Sequence, residues 1–421
     1  MLRRAWYLHQ MLGNAKRSPQ ALAADQNRLL LNLVQRAARD VPFYARLYAQ
    51  AGVDVHGFDP QRDLATLPVV DKRLLRAAGA DHVARNAPSR RVIISTSGSS
   101  GEPFRFQIDR DYDQWRKAQY LRAYLASGQR LTDRVLRMSV HAAPPRPWFA
   151  HFGLLHEERI DCGEPAAVMA EKWVRARAQI LLGYPSALRV LASHCRERGE
   201  PLMPAPRLVF SDSELLLPET RALLEEQFRA PVLDVFGTFE TDNIAFQCAH
   251  RRGFHIATDS VILEVLRDGR PVPTGECGEI VVTVLRNHTS PFIRYNLRDL
   301  GCLSPHPCPC GLPFPLLTDL QGRADDSLRL PDGTETSPRR LMARLFPLVG
   351  HLQQYQMRQL PSGRFELLAV PSPDFNADDR SALLAAMRDA LEGGECSLRT
   401  VERIPPEKSG KRRSFVRLRE Q

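Results

Sequence analysis

No apolar run in this chain is long enough to span a bilayer, and residues 1–8 carry charge without the apolar core of a secretory signal. Membrane insertion is therefore not expected, and a cytoplasmic protein is. Aromatic residues make up only 7% of the sequence and are not interleaved with its basic runs. That lack argues against a nucleic-acid-binding sheet, despite a net charge of +10 from 58 Lys and Arg against 48 Asp and Glu. An excess of this sign suits smaller polyanions as well, among them ATP, coenzyme A and acidic carrier proteins. At 43% hydrophobic and 25% charged, the composition is that of a globular chain, and 421 residues are too many for one ordinary core. Two domains of unequal size are expected.

What is present begins with Ser95-Thr96-Ser97-Gly98-Ser99-Ser100-Gly101-Glu102-Pro103. The β-branched run from Arg91 to Ile94 reads as a strand before it. Phe104, Phe106 and Ile108 alternate after it, as in a strand with one buried face. A loop this rich in Gly and Ser can bring several backbone N–H groups and hydroxyls onto one anion. It has neither the Lys-Ser/Thr ending of a Walker loop nor the following helix that a Rossmann turn opens. A Gly/Ser loop between two strands is a different kind of phosphate grip.

Along the chain, residues 1–90 read as mostly helical. Asp71 is placed to cap a helix over 72–78 that Gly79 ends, and a further helix is expected over 112–126. Strands then alternate with helices up to the strand at 231–236, which argues for a layered α/β domain. That strand leads into Asp234-Val235-Phe236-Gly237-Thr238-Phe239-Glu240-Thr241. There Glu240 is expected in a turn at the sheet edge, where an acid can hold a phosphate-bound Mg²⁺. Farther on, Pro291-Phe292-Ile293-Arg294-Tyr295-Asn296-Leu297-Arg298-Asp299 ends in an acid able to accept both hydroxyls of a ribose. The polar passage Gly322-Arg323-Ala324-Asp325-Asp326 is the best domain boundary. After it the pattern reads helix, strand, strand, helix, strand: a helix started by Ser337 and Pro338, a hairpin around Pro361-Ser362-Gly363, a helix over 378–391 and a strand over 397–404.

Eight cysteines are present, and in a cytoplasmic chain disulfides are not the default. Cys308-Pro309-Cys310-Gly311 is a tight pair whose single spacer lets two thiolates reach one ion. Cys248, His250 and His255 upstream offer the remaining ligands. Cys162, Cys195, Cys277, Cys302 and Cys396 look surplus to that site.

In this order the motifs resemble the adenylate-forming (AMP-binding) superfamily, most closely its phenylacetate–coenzyme A ligase and CapK-like branch, over nearly the whole chain. "STSGSSGEP" resembles the family's phosphate loop, "FGTFE" its aromatic-Gly-x-Thr-Glu motif, "IRYNLRD" its ribose motif, "GRADD" its hinge and "PPEKSGK" the ending that carries its catalytic Lys. The resemblance implies a large N-terminal α/β domain of the acyl-adenylating type over residues 1–321, a hinge over 322–326, and a small mobile α+β domain over 327–421. It implies ATP-dependent conversion of a carboxylic acid, of the aromatic kind in this branch, to acyl-AMP. Transfer to a coenzyme A or phosphopantetheine thiol follows.

The roles it implies are specific. Ser97, Gly98, Ser99, Ser100 and Gly101 would hold phosphates, Glu240 would bind Mg²⁺, and Phe236, Gly237 and Thr238 would lie beside the adenine. Asp299 and Arg323 would fix the ribose, Lys411 would reach the reacting α-phosphate, and Asp325 would be the pivot. His141, Tyr184, Ser211 and Glu214 are expected to line the acid pocket. CapK-like relatives also resemble the cysteine pattern, which selects Cys248, His255, Cys308 and Cys310 as ligands of a structural Zn²⁺, with His250 the alternative. The partners implied are a small carboxylic acid, an acyl carrier protein where the thiol is carried on one, and a second copy in a homodimer. Departures include Phe239, where the family usually has Thr or Ser. The competing reading is a degenerate, zinc-stabilised nucleotide-binding or regulatory protein without ligase activity.

Overall fold

The computed structural model describes residues 2–96, 104–140, 148–345, 348–407 and 410–418. The Gly/Ser loop from Ser97 to Gly101, and His141, lie outside the described residues. The chain opens with helices α1 (Leu2–Asn14), α2 (Pro19–Asp40), α3 (Pro42–Gln50), α4 (Pro60–Asp63) and α5 (Lys72–Ala78). Their starts follow the capping rules: Ser18 accepts from Ala21 N, Asp71 accepts from Leu74 N, and Pro stands in the first turn of α2, α3 and α4. A hairpin of β1 (Arg91–Ser95) and β2 (Arg105–Asp109) follows, then α6 (Arg110–Ala126), capped by Asp109.

The middle of the chain alternates as its sequence pattern predicts: β3 (Val135–Met138), β4 (Glu157–Ile160), α7 (Ala166–Ala176), β5 (Ile180–Gly183), α8 (Pro185–Glu197), β6 (Leu208–Asp212), α9 (Pro218–Phe228) and β7 (Val232–Thr238). A run of strands succeeds it: β8 (Asp242–Gln247), β9 (Phe254–Ile256), β10 (Val261–Arg267), β11 (Arg270–Pro271), β12 (Cys277–Val284), β13 (Tyr295–Leu303) and β14 (Leu316–Arg323). The last elements are β15 (Leu328–Arg329), β16 (Glu335–Thr336), α10 (Pro338–Leu345), β17 (Leu352–Gln359), β18 (Phe365–Pro371), α11 (Ala377–Ala390), β19 (Cys396–Thr400) and β20 (Phe415–Arg417).

Contacts group the chain into two units that interleave in sequence: residues 1–127 with 235–320, and residues 128–234 with 321–421. In the first, antiparallel strands run in the order β11-β10-β12-β13-β14-β9-β8-β7. One buried guanidinium organises this unit. Arg294 is 2% exposed; it grips Glu264 on β10 through two nitrogens at 3.0 Å each, and donates to the carbonyls of Ala65 and Leu67 at 2.8 and 2.5 Å. The segment so held lies parallel to the start of β13, with Val70 N on Arg294 O at 3.0 Å and Asn296 N on Val70 O at 2.8 Å.

In the second unit β4, β3, β5 and β6 are parallel neighbours with buried faces, the arrangement that α/β crossovers produce. A separate sheet, β19-β18-β17-β20, carries α10 and α11. The helix, hairpin, helix and strand expected after the boundary are all there. β20 and the short β15–β16 ladder were not anticipated, because each is only two or three residues long. Within this unit α8 seats the later sheet through Arg189. That side chain is 6% exposed, donates to the carbonyls of Val349, Leu352 and Gln353, and lies 5.0 Å over the ring of Tyr355. Tyr355 in turn donates to Glu219 on α9.

Replacing Arg189 by Met would keep most of the apolar stem and remove the donor shared by the Val349, Leu352 and Gln353 carbonyls, of which Val349 O keeps the Leu352 amide. We expect a loss of about 2–4 kcal/mol, from unsatisfied buried acceptors, read as a lower midpoint in urea unfolding. A midpoint unchanged from the parent would show that water replaces the guanidinium without cost.

Candidate functional site

Glu240 lies in the expected turn after β7 and is only 7% exposed. Its Oε1 accepts from the Tyr295 hydroxyl at 3.3 Å and faces the Lys72 ammonium at 3.3 Å. Lys72 also donates to the Thr96 hydroxyl at 2.9 Å, and Thr96 is the last described residue before the Gly/Ser loop. Two local features bring these groups together. The Arg294 clamp holds the chain at Val70, which delivers Lys72 two residues later beside Tyr295. On the other side, β7 bulges between Phe236 and Gly237 as it pairs with β8. Glycine is required there, because a Cβ on Gly237 would stand 1.9 Å from the carbonyl oxygen of Asp242. Thr238 and Thr241 close the turn through their hydroxyls at 3.0 Å, while Phe239 points outward, 42% exposed.

Asp299 lies on the same antiparallel sheet, within β13 and not at its end. The register with β12 passes from Glu279↔Leu300 to Val281↔Asn296, so residues 297–299 form a bulge. Arg298 within it has φ 62°, and Glu279 accepts from Asn296 at 2.8 Å and from Arg298 at 2.7 Å. Lys72 is the residue that sequence reasoning missed. Its only sequence signal is its place just inside a capped helix, and its partner is far away along the chain.

The second unit holds the remaining described residues. Gly410 is buried with φ 81°, and a Cβ there would be 2.4 Å from Val140 Cγ1, so only glycine fits. Its carbonyl lies 3.7 Å from the Cys162 thiol. Arg412 N donates to Glu214 Oε1 at 2.8 Å, and Glu214 also accepts from the Ser186 amide at 2.9 Å and hydroxyl at 3.0 Å. Burial pushes the Glu214 carboxyl up, opposed by those hydrogen bonds and by the charge of Lys411. Lys411 is thus pinned on both sides, with its carbonyl accepting from Glu407 N at 2.8 Å. It is no loose basic tail. Ser211 is fully buried and spends its hydroxyl on Asp234 at 2.5 Å. Tyr184 is 8% exposed, and burial lifts its phenol to about 12. Arg323 and Asp325 are both half-exposed and 3.9 Å apart, whereas the neighbouring Asp326 is half-buried and pairs with Arg413.

A separate cluster joins Cys248, His255, Cys308 and Cys310, whose ligand atoms all lie within 4.8 Å of one another. Cys248 and Cys308 sulfurs are 3.6 Å apart, and Cys310 Sγ is 3.3 Å from His255 Nε2. A tetrahedral zinc with Zn–S bonds of about 2.3 Å needs sulfurs roughly 3.8 Å apart. The donor set therefore fits that ion. His255 Nδ1 faces Phe314 O at 3.4 Å, an outer contact that would fix the ring. Burial first, then the neighbouring thiols, push Cys310 up to about 12. His250 is exposed and outside the cluster. Cys277 and Cys302 are not spare thiols: they face each other across β12 and β13 and form a disulfide.

The asymmetry of the Lys72–Glu240 pair is testable. The side chain of Lys72 is 34% exposed and that of Glu240 only 8%. Lys72→Met strands a buried carboxylate and should cost about 1–3 kcal/mol. Glu240→Gln leaves an ammonium that can turn to water and should cost less, and the double variant should recover part of the Lys72→Met loss. Urea unfolding of the three variants measures this; equal single losses that add without recovery would show the two side chains to be independent.

No family model matches the chain. Curated relatives do. It is 27% identical over 364 residues to a phenylacetate–coenzyme A ligase of Thermus thermophilus, covering 80% of this chain and 78% of the relative. It is 26% identical over 395 residues to the Escherichia coli enzyme of that name, covering 86% and 85%. Among solved structures, 2-hydroxyisobutyryl-CoA ligase in the postadenylation state with 2-HIB-AMP superposes with a TM-score of 0.77 at 22% identity, over 95% of this chain and 90% of that one. The anthranilate CoA ligase AuaEII with anthranoyl-AMP gives 0.56 at 17% identity, over 76% and 65%. The sequence is thus similar to those of phenylacetate–coenzyme A ligases, and the fold is that of the solved 2-hydroxyisobutyryl-CoA ligase.

Proposed function

We propose that this chain is an adenylate-forming ligase that joins a carboxylic acid to AMP, releases pyrophosphate, and passes the acyl group to the thiol of coenzyme A. The observation that carries this reading is the meeting of Lys72, Thr96, Glu240 and Tyr295 at the root of the Gly/Ser loop. It occurs in a chain similar to phenylacetate–coenzyme A ligases over four-fifths of its length. A phosphate loop needs a fixed root and a nearby charge balance, and this group supplies both. Glu240 is the acid for a phosphate-bound Mg²⁺, which when present neutralises charge on the leaving pyrophosphate. Asp299, presented by its bulge, takes the ribose hydroxyls, with Arg323 as a second contact. Phe236, Gly237 and Thr238 flank the adenine. The carboxylate attacks the α-phosphorus in line, the bond to the pyrophosphate oxygen breaks, and Lys411 stabilises the oxygens on which charge gathers. Asp325 is the pivot for the small domain over 327–421, which turns to admit the thiol. Tyr184 and Glu214 belong to the acid side of the site; Glu214 positions the Lys411 segment.

An ATP–pyrophosphate exchange assay over a panel of carboxylic acids led by phenylacetate tests the reading. At least one acid should support exchange. Lys411→Ala should lower that rate on the order of a hundredfold or more, yet still pass a supplied acyl-adenylate to coenzyme A. Binding of ATP with no exchange for any acid would instead establish a nucleotide-binding protein without ligase chemistry.

The four-ligand cluster is assigned to a structural zinc that ties the Cys308–Cys310 loop to β9. The purified protein should carry about one Zn²⁺ per chain. Cys308→Ser should lower metal content and melting temperature together, with exchange measured below that temperature retained. Metal-free protein of full stability would remove zinc from this site.

A further inference from the structure

At the base of the β1–β2 hairpin, opposite its Gly/Ser tip, the first unit contains a half-open cavity of about 550 Å³. Four guanidinium groups line it: Arg36 from α2, Arg90 at the entry to β1, Arg110 at the exit from β2, and Arg286 from the β12–β13 connection. Two carboxylates also line it, and both are engaged. Asp111 accepts from the Tyr7 hydroxyl at 2.7 Å and pairs with Arg3 at 2.8 Å. Asp109 accepts from Tyr112 N at 2.7 Å and from the Thr289 hydroxyl at 3.2 Å. Arg36, Arg90 and Arg110 make no ion pair among the described residues. Arg286 lies flat against Trp115, its Cζ 3.6 Å from the ring centroid. Its Nε and the Nδ1 of His288 are buried without a hydrogen-bond partner.

Buried polar nitrogens left unpaired in a wall rich in cations are costly unless something brings matching acceptors. Guanidinium groups match phosphate oxygens in pairs, and the volume is that of a small-molecule site. Burial lowers the Arg286 pKa, opposed by the charges of Asp259 and Asp25. His288 is likewise pushed down, to about 4, so at neutral pH it is uncharged and can offer one N–H.

We infer that this cavity binds the phosphates of a small molecule at a site separate from the Gly/Ser loop. The register Arg91↔Asp109 at the base and Ser95↔Arg105 at the tip sets the two four residue steps apart along the strand, roughly 14 Å. Arg90 and Arg110 flank that base register pair, one on each strand. An anion that draws them together bears on the strands that hold both sides of the Gly/Ser loop. Free oligophosphates and the nucleotide part of coenzyme A share this chemistry.

The test uses the full chain with its ATP site saturated by α,β-methylene-ATP, and tripolyphosphate as titrant in calorimetry. One further binding event is expected. Arg90→Gln, an exposed position with no bond to lose, should weaken it at least about tenfold without moving the melting temperature, and Arg36→Gln should do the same. Coenzyme A added to the complex identifies the source: displacement assigns the cavity to the nucleotide of the thiol, and no displacement to a free phosphate ligand. Either result supports the site. No binding beside the ATP analogue, or binding that Arg90→Gln and Arg36→Gln leave unchanged, would overturn it.

Discussion

The Arg294 guanidinium is the constraint on which the first unit's candidate site depends. Its donors meet a carboxylate on β10 and two carbonyls of the segment that precedes α5. A buried arginine is tolerable only when its fork is satisfied, and a satisfied fork fixes direction as well as distance. The 65–72 segment therefore has one seat, beside β13. Lys72 reaches Glu240 and Thr96 from there, and Tyr295, the next residue after Arg294, completes the set. The clamp and one member of the group it positions are adjacent residues at the start of β13.

A comparable economy holds in the second unit. Glu214 takes an amide and a hydroxyl at the start of α8 and the amide of Arg412, so one carboxylate joins a helix N-terminus to the segment bearing Lys411. Gly410 makes that approach feasible, since any side chain would collide with Val140. Over these residues the chain near Lys411 is a fitted strip.

The limits of the sequence follow from where its information is local. Alternating strands and helices, the caps at Ser18, Asp71 and Asp109, and the hairpin around Pro361-Ser362-Gly363 were legible because propensity and turn chemistry act over a few residues. Cys308 and Cys310 were legible as a pair for the same reason. The residues alone left His250 and His255 both open and the family resemblance selected His255, which the pairing of β9 with β14, where His255 stands opposite Leu316, brings into the cluster. Lys72 was invisible because its meaning lies in Arg294, and the burial of Glu240 because Tyr295 and Lys72 cover it. The link between Cys277 and Cys302 depends on strand register, which alternation alone does not specify.

The interleaving of the two units has a consequence for how the chain comes to be folded. Residues 1–127 belong with 235–320, and the whole of 128–234 is translated in between. During synthesis the N-terminal helices and the β1–β2 hairpin must wait, with apolar faces uncovered, until β8 to β14 emerge. The second unit waits in turn for residues 321–421. Closure of such long loops is slow compared with local helix formation. Nascent intermediates are thus the stage at which this chain is most exposed to aggregation and most dependent on chaperones. Cutting it at any single point would not yield either unit whole.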